Sequence, residues 1–243
     1  CNQIEKGDSE VTSDFLAKCN SDSKIIVFAT TNTSKMIAAR LAAKIKAGIV
    51  SNVIELPSNI SPLTLKRKSF SSKAIEKVKI NSSKAIIMLA SNSFGVIENN
   101  KNCKIEKHKV NASNHINFKD QKIASGKLSL AEAEIIVSAG RGLKGPENWK
   151  MIEDLAETLG AATACSKPVS DIGWRSHDEH VGQTGKAVSP NLYFAIGISG
   201  AIQHLAGVNS SKVMVVINTD PEAPFFKAAD YGIVGDAFEV VPK

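Results

Sequence analysis

The sequence predicts an α/β protein: a doubly wound parallel-sheet domain in the C-terminal part, preceded by a partial α/β domain. Apolar runs of strand length, such as Glu134–Ala139, Leu192–Ile198 and Val213–Ile217, alternate with segments whose apolar residues recur at helical spacing. Strands that alternate with helices pair in parallel, and the helices then cover the faces of the sheet. A change of composition near residue 130 also divides the chain into two predicted domains, 1–129 and 130–243.

The first domain is predicted to begin with a polar stretch, followed by a β-α step. Lys24–Ala29 has the apolar pattern of a buried strand, and Thr31 can cap the amphipathic helix that follows. Lys73–Ile80 alternates polar and apolar residues, which is typical of a strand with one wet face, and Lys84–Ala90 is a mostly apolar strand. Because a short turn separates these two strands, we predict a hairpin. The lysine-rich residues after it are predicted to end in a linker, 120–129.

The second domain is predicted to hold closely spaced strands, helices and loops. Glu147–Leu159 is expected to form a helix that Gly160 ends, because glycine easily adopts the left-handed conformation of a helix C-cap. Ser166–Gly173 is predicted to be a loop. Gly200–Leu205 is predicted to be a short helix that Gly207 closes.

Electric charge also divides the chain. Residues 1–129 hold 21 lysines and arginines against 10 acidic residues, whereas residues 130–243 hold 9 against 14. A basic half can bind nucleic acid, but its lysines are scattered among serine, asparagine and isoleucine, and no nucleic-acid-binding motif is present. We therefore expect no nucleic-acid partner. The basic half is a solvated surface or an edge that meets an acidic partner.

The sequence indicates neither a metal site nor a disulfide framework. The four cysteines contain no CxxC pair and have no histidine at metal-ligand spacing: Cys1, Cys19, Cys103 and Cys165. This pattern favours a reducing compartment. No apolar run approaches the roughly 18–20 residues that span a bilayer, so we expect no direct membrane insertion.

Four loops are predicted at the carboxyl ends of the strands, where open parallel sheets bind their ligands. All four are rich in Gly, Ser, Asn or Asp: Gly140–Pro146, Ser166–Asp171, Ser199–Gly200 and Asn218–Pro224. Such residues are also what any loop needs in order to turn. Taken together, the four loops predict a rim that binds a ligand.

The loop that begins at Gly140 is a weak match to a dinucleotide-binding fingerprint. Its glycines allow close approach of the backbone, and Arg141 can supply a positive charge to a pyrophosphate. The spacing is not GxGxxG, because Lys144 stands two residues after Gly142 and Gly145 comes third. A nicotinamide-dependent oxidoreductase is therefore an alternative that this loop alone supports poorly.

A second glycine-bearing stretch, Gly182–Lys186, looks like a phosphate loop but fails the test for one. His180 stands where a Walker A motif needs its first glycine, and Ala187 stands where it needs Ser or Thr. The stretch therefore does not predict an ATPase. What the turn does offer is an amide at Gln183 and a hydroxyl at Thr184, which suit a polar heterocycle or a sugar-like chain.

Three histidines of the second domain are candidates for a role at a ligand or a metal ion: His177, His180 and His204. His204 lies on the short helix that Ser199 can cap, where a lone histidine is either a core residue or a group beside a ligand. His177 and His180 flank two acidic residues, and we interpret that stretch as a solvated loop rather than a metal site. No nucleophile elbow or Ser/His/Asp pattern is present. We predict no catalytic residue, and a protein that holds a reactive cofactor.

The C-terminal residues resemble the FAD domain of the alpha subunit of electron transfer flavoprotein. The matching segments keep their order and spacing from residue 137 to residue 242, and the main ones are Val137–Leu143, Val181–Lys186, Gly197–Gly207, Asp220–Pro224 and Ala229–Gly232. Residues 24–90 resemble the later part of the family's first domain more loosely. Because the early strands of that domain are missing, the resemblance implies an incomplete first domain.

The resemblance also implies a set of FAD-binding residues. Carried over by position, they are Arg141, Gly142, Ser166, Lys167, Val181, Gly182, Gln183, Thr184, Gly185, Ser199, Gly200, Ile202, His204, Asn218, Asp220 and Asp236. Arg141 and Lys167 would lie over the flavin ring and near its phosphates, and Asn218 and Asp236 at the adenosine end. The family usually has arginine at the position of Lys167, and lysine lacks the planar guanidinium that stacks on a flat ring.

The remaining roles implied by the resemblance concern the ring and the pyrophosphate. Gln183 and Thr184 would meet the ribityl chain and the isoalloxazine, with Thr184 near N5, and His204 would lie near the ring's O2. Ser199 and Gly200 would contact the pyrophosphate at the start of a helix. Cationic and N–H donors around N1 and O2 favour the negatively charged reduced flavin.

In function, the resemblance implies an electron carrier. It would accept electrons from acyl-CoA dehydrogenases and other flavin dehydrogenases and deliver them to a quinone oxidoreductase. It would form a heterodimer with an electron transfer flavoprotein beta subunit, in the bacterial cytoplasm or the mitochondrial matrix. Two alternatives remain at this point: an NAD(P)-dependent oxidoreductase, and a non-redox binding module that docks a nucleotide or a partner.

Overall fold

Two units make up the chain in the computed structural model, which describes residues 8–19, 22–95, 97–102, 108 and 128–243. One unit is Cys1–Ser69 with Ala74–Ile123, and the other is Phe70–Lys73 with Ala124–Lys243. Cys1, Cys103 and most of the predicted linker 120–129 lie outside the described residues. Within the part of the chain that is described, no helix is long and apolar enough to cross a membrane.

The described part of the first unit combines two helices with a six-stranded sheet. The elements are α1 (Ser9–Cys19), β1 (Ile25–Ala29), α2 (Asn32–Ile45), β2 (Gly48–Val53), β3 (Asn59–Ile60), β4 (Leu63–Ser69), β5 (Ala74–Ile80) and β6 (Ala85–Leu89). The strand order is β1-β6-β2-β4-β3, and β5 pairs with β4. The predicted cap of α2 is confirmed, because the Thr31 hydroxyl accepts a hydrogen bond from the Ser34 N–H.

The predicted hairpin of Lys73–Ile80 with Lys84–Ala90 is wrong. β5 pairs antiparallel with β4, from Leu63 opposite Ile80 to Ser69 opposite Ala74. β6 instead lies between β1 and β2 and is parallel to both. The reason is burial: Ala85–Met88 are all buried, as a central strand covered on both faces requires, whereas most of β5 is exposed.

The second unit is built on five parallel strands, in the order β11-β10-β9-β7-β8. Its elements are β7 (Ile135–Ala139), α3 (Lys150–Leu159), β8 (Ala162–Cys165), α4 (Lys167–Asp171), β9 (Leu192–Ile196), α5 (Ile202–Val208), β10 (Val213–Asn218), β11 (Tyr231–Val234) and α6 (Ala237–Val240). Successive strand residues pack into two different apolar clusters: Ile136 in one, Val137 in the other. Both faces of the sheet are therefore covered, which confirms the predicted α/β class and its doubly wound parallel sheet.

Helix boundaries in this unit differ from the predicted ones. The helix predicted over Glu147–Leu159 starts as a 3₁₀ turn, and its α-helical part is α3. Gly160 ends it in the left-handed conformation, as predicted. The predicted loop Ser166–Gly173 contains the short helix α4, whose start tolerates Pro168 because the first N–H groups of a helix have no partner within the helix.

The predictions for the start and end of α5 are wrong. Ala201 is its N-cap residue and makes no side-chain capping bond, so Ser199 does not cap the helix. Gly207 lies inside α5 and does not close it. Gly207 instead serves packing: a Cβ there would lie 2.6 Å from the Gly182 backbone, so the missing side chain lets α5 approach the turn at Gly182.

Candidate functional site

A cleft lies at the carboxyl edge of the β7–β11 sheet, between the loops that follow β7 and β9. Because β8 and β9 lie on opposite sides of β7, this is the point where the strand order reverses. The cleft has a volume of 610 Å³, within the range of about 300–1,000 Å³ that is usual for cofactor sites. All four loops predicted as the ligand-binding rim contribute to its lining.

The two central loops touch through their glycines. A Cβ at Gly140 would lie 2.3 Å from the Gly197 carbonyl oxygen, and one at Gly142 would lie 2.6 Å from the Gly197 Cα. The Gly142 N–H donates a hydrogen bond to the Gly197 carbonyl, and this bond joins the loop after β7 to the loop after β9. Gly197 has φ +60°, a conformation that favours glycine. Glycine at these positions therefore permits an approach of the two backbones that any side chain would block.

The Gly182–Lys186 turn presents two polar side chains to the cleft, those of Gln183 and Thr184, and both are exposed. Backbone bonds fix its shape: the Gly182 N–H donates to the Lys186 carbonyl, and the Gln183 N–H donates to the Gln203 carbonyl of α5. The turn is thus anchored to the helix that carries His204. It is a preformed platform for a ligand.

Two cationic side chains line the cleft, those of Arg141 and Lys167. Arg141 lies in the loop after β7, next to Gly140, and is exposed. Lys167 opens α4, and its ammonium group lies 3.0 Å from an Asp171 carboxylate oxygen one turn later. Since both partners are largely exposed, this ion pair is weak and leaves Lys167 able to turn toward an anionic ligand.

His204 is the buried titratable group of the cleft. Its Nε2 lies 2.9 Å from the Tyr193 hydroxyl, and among the described residues its Nδ1 has no hydrogen-bond partner. Burial, with a smaller contribution from His180, lowers the pKa of His204 to about 4. The imidazole is therefore neutral near pH 7, and its unpartnered nitrogen is what a polar ligand would satisfy.

His180 also lines the cleft, so the prediction that His177–His180 is a solvated loop is wrong for this residue. Its backbone forms an isolated parallel β-bridge with that of Cys165, at the end of β8. Its ring packs against the Gly182–Lys186 turn, where a Cβ at Gly185 would lie 2.7 Å from the His180 Nδ1. Burial, followed by the charge of Lys167, lowers the pKa of His180. Its position directly before the predicted Val181–Lys186 stretch is the sequence signal that could have identified it.

Asn218 uses its side chain to hold two loops in place. Its amide donates to the Ile198 carbonyl at 3.0 Å, and its carbonyl oxygen accepts from the Asp220 N–H at 3.1 Å. The loop after β10 is thereby tied to the loop after β9. Asn218 and Asp220 both line the cleft.

The structure brings most of the predicted cofactor-binding residues together in this cleft. The predicted residues that line it are Arg141, Gly142, Ser166, Lys167, Val181, Gly182, Gln183, Thr184, Ser199, His204, Asn218 and Asp220. Sequence reasoning missed six lining residues, all of which lie within two positions of a predicted one in the chain: Pro168, His180, Gly197, Ile198, Ala201 and Gln203.

Four predicted residues do not line the cleft. A Cβ at Gly185 would collide with His180, which lines the cleft, and one at Gly200 would collide with Phe225. The Ile202 side chain is exposed on the first turn of α5. Asp236 caps α6, accepting from the Phe238 N–H at 3.1 Å, and pairs with the Lys144 ammonium at 3.0 Å.

The cleft fits a dinucleotide cofactor with a polar ring. Two cationic side chains and glycine loops without side chains suit phosphates, while the Gln183 amide, the Thr184 hydroxyl and the unpartnered imidazole of His204 suit the edge of a heterocycle. No group of three or more His, Cys, Asp or Glu side chains in the described ranges is arranged to hold a metal ion.

Comparison with known proteins identifies the cofactor. A family model described as "Electron transfer flavoprotein FAD-binding domain" matches residues 129–209, which include the loops after β7, β8 and β9 and most of the cleft. A second one, "Electron transfer flavoprotein domain", matches residues 2–113. The cofactor of the second unit is therefore FAD.

Curated relatives cover most of the chain. The electron transfer flavoprotein subunit alpha of Bacillus subtilis is 40% identical over 97% of this chain and 73% of its own length. That of Syntrophomonas wolfei is 39% identical over 89% of this chain and 70% of its own length. A mitochondrial relative from Dictyostelium discoideum is 58% identical over 49% of this chain and 34% of its own length. The chain belongs to the electron transfer flavoprotein alpha subunit family.

Proposed function

We propose that the chain, with FAD in its cleft, accepts electrons from acyl-CoA dehydrogenases and other flavin dehydrogenases and delivers them to a quinone oxidoreductase. FAD supplies the redox chemistry, taking electrons from the reduced donor flavin and passing them to the acceptor. The observation that carries the proposal is the cleft itself. Two glycine loops lock together at the strand reversal, beside a buried neutral imidazole and two cationic side chains.

The proposed phosphate end of the site is formed by Arg141 and Lys167 with the loop at Ser199. A guanidinium and an ammonium that both line the cleft can neutralise a pyrophosphate bound there. Lysine at 167 acts as a point charge, so we expect it to attract the cofactor without the stacking that an arginine would add.

The proposed ring end is formed by Gln183, Thr184 and His204. Their side chains offer an amide, a hydroxyl and an imidazole nitrogen, which can pair with the polar edge of the isoalloxazine. These groups are anchored by backbone bonds between the turn and α5, so they are preorganised for a ligand.

We propose an electron transfer flavoprotein beta subunit as the permanent partner, in a heterodimer. The relatives named above are alpha subunits, and a subunit of that name implies a second chain. The compartment follows the host, namely the cytoplasm of a bacterium or the mitochondrial matrix, since relatives of both kinds are known. We further expect the basic first domain to meet an acidic surface on a partner.

Electron delivery is tested with the chain purified together with its beta partner. An acyl-CoA dehydrogenase and its acyl-CoA substrate are added without oxygen, and the flavin absorbance of the complex is followed. The proposal expects bleaching that depends on catalytic amounts of the dehydrogenase, and recovery of colour when a quinone oxidoreductase and quinone are added. The proposed donors would be wrong if the flavin stayed oxidised with several dehydrogenases although dithionite reduces it.

A further inference from the structure

Tyr193 and His204 form a buried pair next to the cleft. The Tyr193 hydroxyl lies 2.9 Å from the His204 Nε2. Phe225 stacks on Tyr193 at 6.3 Å with an interplanar angle of 11°, and its ring centroid lies 5.8 Å from that of His204. Since Tyr193 and Phe225 are fully buried, the imidazole has a fixed orientation.

Both members of the pair are neutral near pH 7. Burial raises the pKa of Tyr193 and, as the main cause, lowers that of His204 to about 4. One proton therefore belongs to the phenol and one to the imidazole. The hydrogen bond between them then has two possible arrangements, which differ in the imidazole nitrogen that carries the proton.

In one arrangement the phenol donates to Nε2, and the imidazole proton lies on Nδ1. In the other, Nε2 donates to the phenol oxygen, and the phenol needs another acceptor for its own proton. The hydroxyl of Ser138 lies near the phenol but forms no hydrogen bond with it. The second arrangement thus leaves the buried phenol proton without a partner, which is costly.

We propose that Tyr193 is a positioning residue whose hydroxyl holds His204 in the Nδ1–H tautomer, so that His204 presents a hydrogen-bond donor to the bound flavin. A donor stabilises negative charge on a nearby carbonyl oxygen of the reduced ring. This second consequence depends on the proposed placement of the ring beside His204. The tautomer itself depends only on the protein.

The test is a measurement of the His204 tautomer by ¹⁵N NMR near pH 7.5. The full chain, in complex with its beta partner, is labelled with ¹⁵N in histidine only and examined with and without FAD. Protonated and unprotonated ring nitrogens have well-separated shifts, and His204→Gln assigns the signals. The proposal expects the proton on Nδ1 in the parent and on Nε2 in Tyr193→Phe.

Two control variants separate the hydrogen bond from packing. Ser138→Ala removes the neighbouring hydroxyl, and Phe225→Leu removes the ring that stacks on Tyr193 while keeping the phenol. Both should retain the Nδ1–H tautomer. With FAD bound, Tyr193→Phe should also shift the midpoint potential to more negative values, because the donor becomes an acceptor.

Three results would overturn the proposal: a proton on Nε2 in the parent, retention of Nδ1–H in Tyr193→Phe, or loss of that tautomer in Ser138→Ala. An unchanged potential with the tautomer switched would show that the ring does not lie beside His204. That outcome would count against the proposed ring site and leave the tautomer assignment standing. The two failures are thus distinguishable.

Discussion

The chemistry of single residues in the cleft is decided by burial. Arg141 and Lys167 are exposed and keep their charges available for a ligand, whereas His204, only 7% exposed, is kept neutral. A neutral imidazole can donate or accept, and its neighbours then determine which it does. The sequence pattern could place His204 next to a ligand, but it could not show the Tyr193 contact, since the two residues lie on different elements.

Acid should destabilise the protein through His204. Its pKa falls from the usual 6.5 to about 4 in the folded state, so between these values the unfolded chain binds more protons. The stability contribution is complete above pH 6.5 and is lost as the pH falls toward 4. Between pH 7 and pH 5 we expect a loss of about 2 kcal/mol from this residue.

Urea unfolding at pH 7 and pH 5 measures this loss. His204→Gln keeps an acceptor for the Tyr193 hydroxyl but cannot titrate, so its stability should change less over the same interval. Equal losses in the parent and the variant would mean that other groups, such as His180, account for the acid sensitivity.

Removal of a cationic side chain should weaken retention of FAD. Arg141→Ala deletes the proposed charge-assisted contact, worth about 1.5–3 kcal/mol, so the Kd for FAD should rise roughly 10- to 100-fold. Fluorescence titration of the flavin measures it. Lys150→Ala, which removes the same charge from the exposed start of α3, is the control and should leave the Kd unchanged. An equal change of the Kd in the two variants would argue against a direct contact between Arg141 and FAD.

Substitutions at the ring end should act on the redox potential instead. Thr184→Ala and His204→Ala each remove one polar lining group from beside the proposed ring, and they leave the proposed phosphate contacts in place. We expect FAD to stay largely bound and its midpoint potential to shift, as measured by spectroelectrochemical titration. Potentials and spectra identical to those of the parent would contradict the assignment of these two residues.

At the scale of the element, the cleft depends on how closely the loops after β7 and β9 approach each other. Gly197 and Gly160 offer a matched comparison, because their φ angles are +60° and +61°, but only Gly197 is crowded. A Cβ at Gly197 would lie 2.8 Å from the Gly142 Cα, whereas nothing lies within 4 Å of one at Gly160. An alanine would therefore meet the same backbone strain at both sites, but only at Gly197 would its Cβ collide with a neighbouring loop.

Gly160→Ala should cost about 1 kcal/mol of stability, from the left-handed backbone alone. Gly197→Ala should cost a further ~1–3 kcal/mol, because the loops must separate. FAD affinity should fall only in Gly197→Ala. Thermal unfolding and flavin titration of both variants measure these effects, and similar losses in the two would show that the contact between the loops has little importance.

The elements also show what the sequence could and could not predict. Apolar runs and a capping residue predicted β1, α2 and the strands β7, β9 and β10, because such runs and caps are local patterns. The sequence did not predict β11, whose residues are all exposed, and β1 is exposed on one face although its run is apolar. The hairpin with β6 was predicted wrongly, since sheet order depends on which strands meet in space. His180 was missed for the same reason: its burial results from Gly185 and β8 packing around it.

At the scale of the molecule, the second unit has what a self-sufficient domain needs. Its five parallel strands carry an apolar cluster on each face, and the lining residues of the cleft all belong to this unit. Its net charge is also opposite to that of the first domain. The domain boundary near residue 130, which composition and charge indicate, stays a prediction.

A fragment that holds residues 124–243 should therefore fold and bind FAD without the rest of the chain. We expect one cooperative thermal transition, near-ultraviolet circular dichroism from the buried Trp149 and Tyr193, and a Kd for FAD close to that of the full chain. A fragment without fixed tertiary structure would show that the first domain is required for the second to fold.

The central claim, that FAD occupies the cleft of the second unit, is tested most directly by flavin titration of the full chain together with its beta partner. Stripped of flavin and shown to be folded, the complex should bind FAD in the cleft at one equivalent per alpha chain. Arg141→Ala should weaken this binding, and Lys150→Ala should not. A folded complex that binds no FAD in this titration, or whose binding is indifferent to Arg141, would contradict the account.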